Sequence, residues 1–113
     1  MHIDQEILKG CIKGDRRSQF RLYEQCYPYL MSVALRYQHQ NEQAASAVNM
    51  AFLKILNHLH RFKENASFTG WIRQILINTI IDEYRKSSRY LEQKGYVDYE
   101  KEIALNGFHV EFN

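Results

Sequence analysis

At 113 residues, with 45% hydrophobic residues, one Pro and five Gly, the chain has the length and apolar content of a single folded domain, built of helices rather than many short strands. Its net charge of +2 hides a division: residues 1–89 carry 13 Lys/Arg against 8 Asp/Glu, and residues 90–113 carry 2 against 5. A basic body with an acidic tail suits a polyanion-binding module, while no apolar run approaches the roughly 20 residues that span a membrane, and the N-terminus has no basic or apolar leader pattern, so a cytoplasmic protein with no membrane partner is expected.

The first predicted helix starts at an Asp4 cap and carries Ile3, Ile7, Leu8, Cys11 and Ile12 at helical spacing, ending at Gly14. Asp15 caps the next, with Phe20, Leu22, Tyr23 and Tyr27 apolar. Pro28 marks a break or a new first turn, after which Leu30, Val33, Ala34 and Tyr37 continue to about Gln38. Asn41 is read as the cap of a third long helix that buries Ala44, Ala47, Val48, Ala51, Phe52, Ile55, Leu56 and Leu59. Lys63 to Ala66 form a loop, and Ser67 or Thr69 caps a fourth helix running to about Arg89. The expected fold is all-α, a compact bundle of about four helices over residues 1–90, with 91–113 an acidic, aromatic linker or appendage. In that appendage Phe108, Val110 and Phe112 alternate with polar residues in a strand-like way, and Tyr90 to Gly95 extend the last helix in one reading.

The fourth helix has two faces. At about 100° per residue, Ile72, Leu76, Ile80 and Tyr84 form an apolar row with Ile77 beside it. Gln74, Asn78, Asp82, Arg85 and Arg89 form a polar row opposite, with Trp71 over its start. Docking on a core requires only the first row. The second holds amide and guanidinium groups, which hydrogen-bond base edges and phosphates, and Phe62, Phe68 and Trp71 stand where an unstacked base can stack. The pattern is that of a nucleic-acid-reading helix with an adjoining loop.

Other chemistry is not favoured. Cys11 and Cys26 fall on apolar helix positions and read as free core thiols. The five His show no metal spacing, His58 and His60 pointing to different sides of a helix. With no nucleophile motif, glycine-rich phosphate loop or carboxylate pair, neither an enzyme nor a cofactor is expected.

Several local signatures then coincide in order: Phe20 to Tyr23, Leu35 to Tyr37, Ala51-Phe52-Leu53-Lys54-Ile55, Leu59 to Phe62, Ser67-Phe68-Thr69-Gly70-Trp71-Ile72, and Asn78 to Lys86. Over roughly residues 5–90 this resembles the second conserved region of bacterial RNA polymerase sigma factors, most of all the compact extracytoplasmic-function type. The resemblance implies a helical bundle that docks on the coiled coil of the largest subunit of core RNA polymerase. Its loop and last helix would recognise and help melt the promoter minus-ten element, capturing bases of the non-template single strand. An anti-sigma factor is a further partner class. On this basis the DNA-binding candidates are Arg61, Lys63, Asn65, Trp71, Arg73, Asn78, Arg85 and Lys86, and the polymerase-binding candidates are Asn49, Met50, Leu53 and Lys54.

Two departures stand out. Where the family carries an acidic stretch on its third helix, this chain reads Gln43 to Met50 with no acid, Met50 replacing an expected Glu and Asn49 keeping an amide. Lost complementary charge weakens and slows docking. Residues beyond 90 also offer nothing to form the second, helix-turn-helix domain of a full factor, which leaves an excised domain or a truncated relative. The competing reading is a degenerate sigma-like interaction protein that binds a regulator or competes for polymerase without initiating transcription. Alternatives stay open at single residues: Trp71 stacks on a base or staples the helix start to the loop, Asp82 pairs with Arg85 or Lys86 or meets DNA, and Met50 marks tight packing or an altered partner surface.

Overall fold

A computed structural model describes residues 1–63 and 65–93, with side chains to Arg89. Four α-helices make up the fold: α1 (Gln5–Ile12), α2 (Arg16–Tyr37), α3 (Asn41–His58) and α4 (Phe68–Gln93), with a 3₁₀ turn (Leu59–Arg61) after α3. There is no strand among the described residues, so the all-α expectation holds. No described helix is long and apolar enough to cross a membrane.

Capping chemistry sets the starts. Asp4 accepts from the Glu6 amide at 2.9 Å, and Asp15 accepts from the Ser18 amide at 3.1 Å and from the Ser18 hydroxyl at 2.6 Å. Those bonds hold the Asp15 carboxyl below its usual value. Gly14, at φ 85°, supplies the left-handed residue that turns α1 into α2. The two helices then pass so close that a Cβ on Gly10 would collide with the Ser18 side chain.

Several boundaries differ from the sequence expectation. Pro28 neither breaks nor restarts a helix; it lies inside α2. Its fixed φ suits a helix, and the carbonyl that loses its i+4 amide partner, that of Glu24, belongs to a residue on the same exposed face. Asn41 is the first residue of α3 rather than its cap; Gln40 holds the cap position and makes no side-chain capping bond. Ile12 and Phe20, read as apolar core positions, are 53% and 62% exposed. The fourth helix runs past Arg89 to Gln93, in line with the reading that extends it beyond Tyr90. The expected strand at Phe108 to Phe112 lies outside the described residues.

The core forms from one stripe of each helix: Leu8 and Cys11; Leu22, Cys26, Leu30, Val33 and Ala34; Ala44, Ala47, Val48, Ala51 and Ile55; and Ile72, Leu76, Ile77, Ile80 and Ile81. The buried stripe of α3 also includes Phe52, and half of it is alanine, small side chains that favour close helix packing. Cys11 and Cys26 are buried and unbridged, as read; burial raises both thiols, Cys26 to about 12, which keeps them protonated at neutral pH. Thr79 is fully buried among these apolar residues, its hydroxyl donating to the Ile75 carbonyl at 2.8 Å.

Candidate nucleic-acid interface

The loop from Phe62 to Ser67 enters α4 through two devices. Ser67 caps the helix, its hydroxyl accepting from the Gly70 amide at 3.1 Å and its carbonyl from the Trp71 amide at 3.0 Å. Of the two expected caps, Ser67 is the one used. Phe62, Phe68 and Trp71 then close on one another, with ring centroids 5.2 Å apart for Phe62–Phe68 and Phe62–Trp71 and 5.9 Å for Phe68–Trp71. All three rings are half-buried, and Phe68 and Trp71 also pack against the core. They staple the loop to the helix while keeping part of their surface open. Replacing Ser67 with Ala removes the cap and is expected to cost about 1 kcal/mol in urea unfolding. An unchanged midpoint would show that the aromatic cluster alone fixes the helix start.

The two faces of α4 are as read. Ile72, Leu76, Ile77 and Ile80 are buried, and Gln74, Asn78, Asp82, Arg85 and Arg89 are exposed. Tyr84 is half-buried, and its hydroxyl is enclosed without a hydrogen-bond partner among the described residues. The polar row does not stand alone, because α3 runs beside it and leaves two grooves. The first, about 420 Å³, is lined by Lys54, His58, Arg61, Trp71, Ile75, Asn78 and Asp82. The second, about 430 Å³, is lined by Met50, Leu53, Lys54, Asp82, Glu83, Arg85, Lys86 and Arg89.

Lys54 and Asp82 border both grooves. The Lys54 ammonium donates to the Thr79 hydroxyl at 3.1 Å and lies 3.9 Å from Asp82. Both charged side chains are about half exposed, so the ion pair contributes little by itself, and the bond to buried Thr79 does more to place Lys54. Asp82 therefore pairs across to α3, not along α4 with Arg85 or Lys86; Lys86 instead lies 3.6 Å from Glu83.

The candidate residues distribute unevenly. Arg61, Trp71 and Asn78 meet in the first groove. Arg85 and Lys86 lie in the second, together with the polymerase candidates Met50, Leu53 and Lys54, so two sets read as separate share a surface. Lys63 and Asn65 are exposed in the loop and line neither groove, and Arg73 falls about 200° around α4 from Trp71, away from both. Asn49 is exposed on α3, where its side-chain oxygen accepts from the Tyr23 hydroxyl at 2.8 Å. Tyr23 also packs on Phe52 and Tyr27 at 5.1 and 5.3 Å. Sequence reasoning left His58 and Ile75 off the site and, though it put Arg89 in the polar row, did not count it among the DNA-binding candidates. Their signal was the spacing of four that relates them to Lys54, Trp71 and Arg85 on the same helix faces.

The family model described as Sigma-70 region 2 matches residues 22–90, which takes in α2 from Leu22 onward, α3, the loop and α4 as far as Tyr90. The chain is also similar to the RNA polymerase sigma-H factor of Pseudomonas aeruginosa, at 26% identity over 76 residues. That match covers 67% of this chain and 39% of the relative, so the chain spans well under half the length of that protein. No solved structure matches. With more than half of its residues inside the matched region, and with the helices and the loop where that match falls, the chain belongs to the Sigma-70 region 2 family.

Proposed function

We propose that this domain serves transcription initiation as the region-two part of an extracytoplasmic-function-type sigma factor, binding core RNA polymerase and capturing single-stranded minus-ten promoter DNA. One observation carries the reading: an exposed row of amide and basic groups on α4 lies open beside a half-buried aromatic cluster, within the segment that matches the family. Each part has a task. Arg85 and Lys86 attract phosphates along the second groove, while Asn78 and Arg61 present hydrogen-bond donors in the first. The open surface of Trp71 offers a base a stacking platform, each stacked base being worth on the order of 1–3 kcal/mol. Lys63 and Asn65, exposed in the loop, reach the same strand from the side. Asn49, Met50 and Leu53 form the polymerase-facing surface of α3, and Leu53, 62% exposed, is its apolar anchor.

Co-elution with purified core RNA polymerase tests the polymerase half of this reading. The chain is expected to bind, and the N49Q/M50E variant to bind more tightly, because it restores an acid to a face that has lost complementary charge. If neither protein co-elutes, polymerase binding is rejected. If only the variant does, α3 has lost its polymerase contact and the interaction-protein reading replaces this one.

A further inference from the structure

The second groove has a chemical makeup that a segment of its own chain can match. Its floor is apolar, with Met50 half-buried and Leu53 largely exposed to solvent. Its α4 side is basic. Arg85, Lys86 and Arg89 are exposed, and Lys54 stands at one end. The two acids present are engaged, Asp82 with Lys54 and Glu83 with Lys86. Arg85 and Arg89 are therefore left without a carboxylate partner among the described residues. The groove is a surface with unmatched positive charge above exposed hydrocarbon.

Residues 94–113 follow directly from the end of α4 and carry the complementary chemistry. Four acids, Asp98, Glu100, Glu102 and Glu111, stand against two lysines, Lys94 and Lys101. Tyr96 and Tyr99 are interleaved with the first acids, and Gly95 precedes them. The distances agree. Residues 82–89 lie about 6–16 Å back along α4 from Gln93 at 1.5 Å per residue. Asp98 and Glu102 lie five and nine residues beyond Gln93, a reach of about 16–30 Å when extended. Tethering raises the local concentration of such a segment to about the millimolar range, so weak complementarity suffices for occupancy.

We propose that residues 94–113 dock in the groove between α3 and α4, with Asp98, Glu100 and Glu102 on Arg85 and Arg89 and with Tyr96 and Tyr99 over Met50 and Leu53. The docked segment competes with polymerase and single-stranded DNA for that surface. The competition rests on the function proposed above; the contact itself does not.

Zero-length carboxylate–amine crosslinking of the full chain, with peptide mapping of the monomer fraction, tests the contact. Lys54–Asp82 and Lys86–Glu83 serve as internal controls for the chemistry. Links from Lys54 or Lys86 to Asp98, Glu100 or Glu102 are expected, and 1 M salt should suppress them. Control links without tail links, or tail links confined to a dimer, overturn the contact. The competition is read separately, as binding of a single-stranded oligonucleotide by the full chain and by its D98N/E100Q/E102Q variant. The variant should bind about tenfold more tightly at low salt. Equal affinity overturns the competition even where the crosslinks form. If neither protein binds the oligonucleotide, the DNA reading fails and the competition with it, while the crosslinks still decide the contact.

Discussion

Replacing Trp71 with Ala is expected to destabilise the domain by about 3 kcal/mol, with Trp71→Phe retaining most of the stability. The indole touches both Phe62 and Phe68 and packs against the core, so truncation opens a cavity at the junction of loop and helix. Against a total stability of about 5–15 kcal/mol, a loss of that size lowers the urea midpoint markedly. Trp71 is the chain's single tryptophan, so its fluorescence also reports on the open part of the ring. Quenching by a single-stranded oligonucleotide would add base stacking to the stapling role. A Trp71→Ala protein with unchanged stability would show that the three rings do not hold the loop.

Removing two of the four cations of the second groove, as R85A/K86A, should weaken nucleic-acid affinity while leaving the fold intact. Both side chains are exposed, and the Lys86–Glu83 pair is a surface contact one turn apart, so unfolding should move by no more than about 0.5 kcal/mol. Phosphate contacts act through counterion release. For single strands, two lost contacts flatten the slope of log affinity against log salt by about 1.4. Binding measured between low and moderate salt should show that flatter slope together with a weaker affinity. A variant with wild-type affinity and slope would place the DNA path elsewhere, toward Lys63 and Arg61 at the loop.

The parts of this fold that show in the sequence are those where one helix reports on itself. The apolar and polar rows of α4 follow from a period of 3.6, and each residue's side of the helix could be assigned before any packing was known. Asp4, Asp15 and Ser67 as caps follow from side chains too short to reach beyond their own turn. Pro28 was ambiguous because the same residue starts, ends or survives within a helix, and the solvent exposure of its face decided the matter. Phe20 looks like a core residue by type, and only the placement of α2 shows it outside, whereas Leu53, read as a partner-facing residue, is exposed as that reading requires. The grooves were hidden for a related reason. Lys54 meets Thr79 and Asp82 across 25 and 28 residues of sequence, and the register between α3 and α4 that joins them has no local signature. Local spacing favoured a pair between Asp82 and its own helix, and the packed neighbour supplied a different one.

The two grooves share two side chains in their linings, the paired Lys54 and Asp82. Anything that draws the Lys54 ammonium into one groove removes it from Thr79 and Asp82, and so changes the charge that the other groove presents. Two ligands bound on either side of such a shared group are thermodynamically linked. Whatever factor the first imposes on the affinity of the second, the second must impose on the first. A protein partner on α3 and an anionic strand on α4, as proposed above, would then be coupled through the charge of that one side chain.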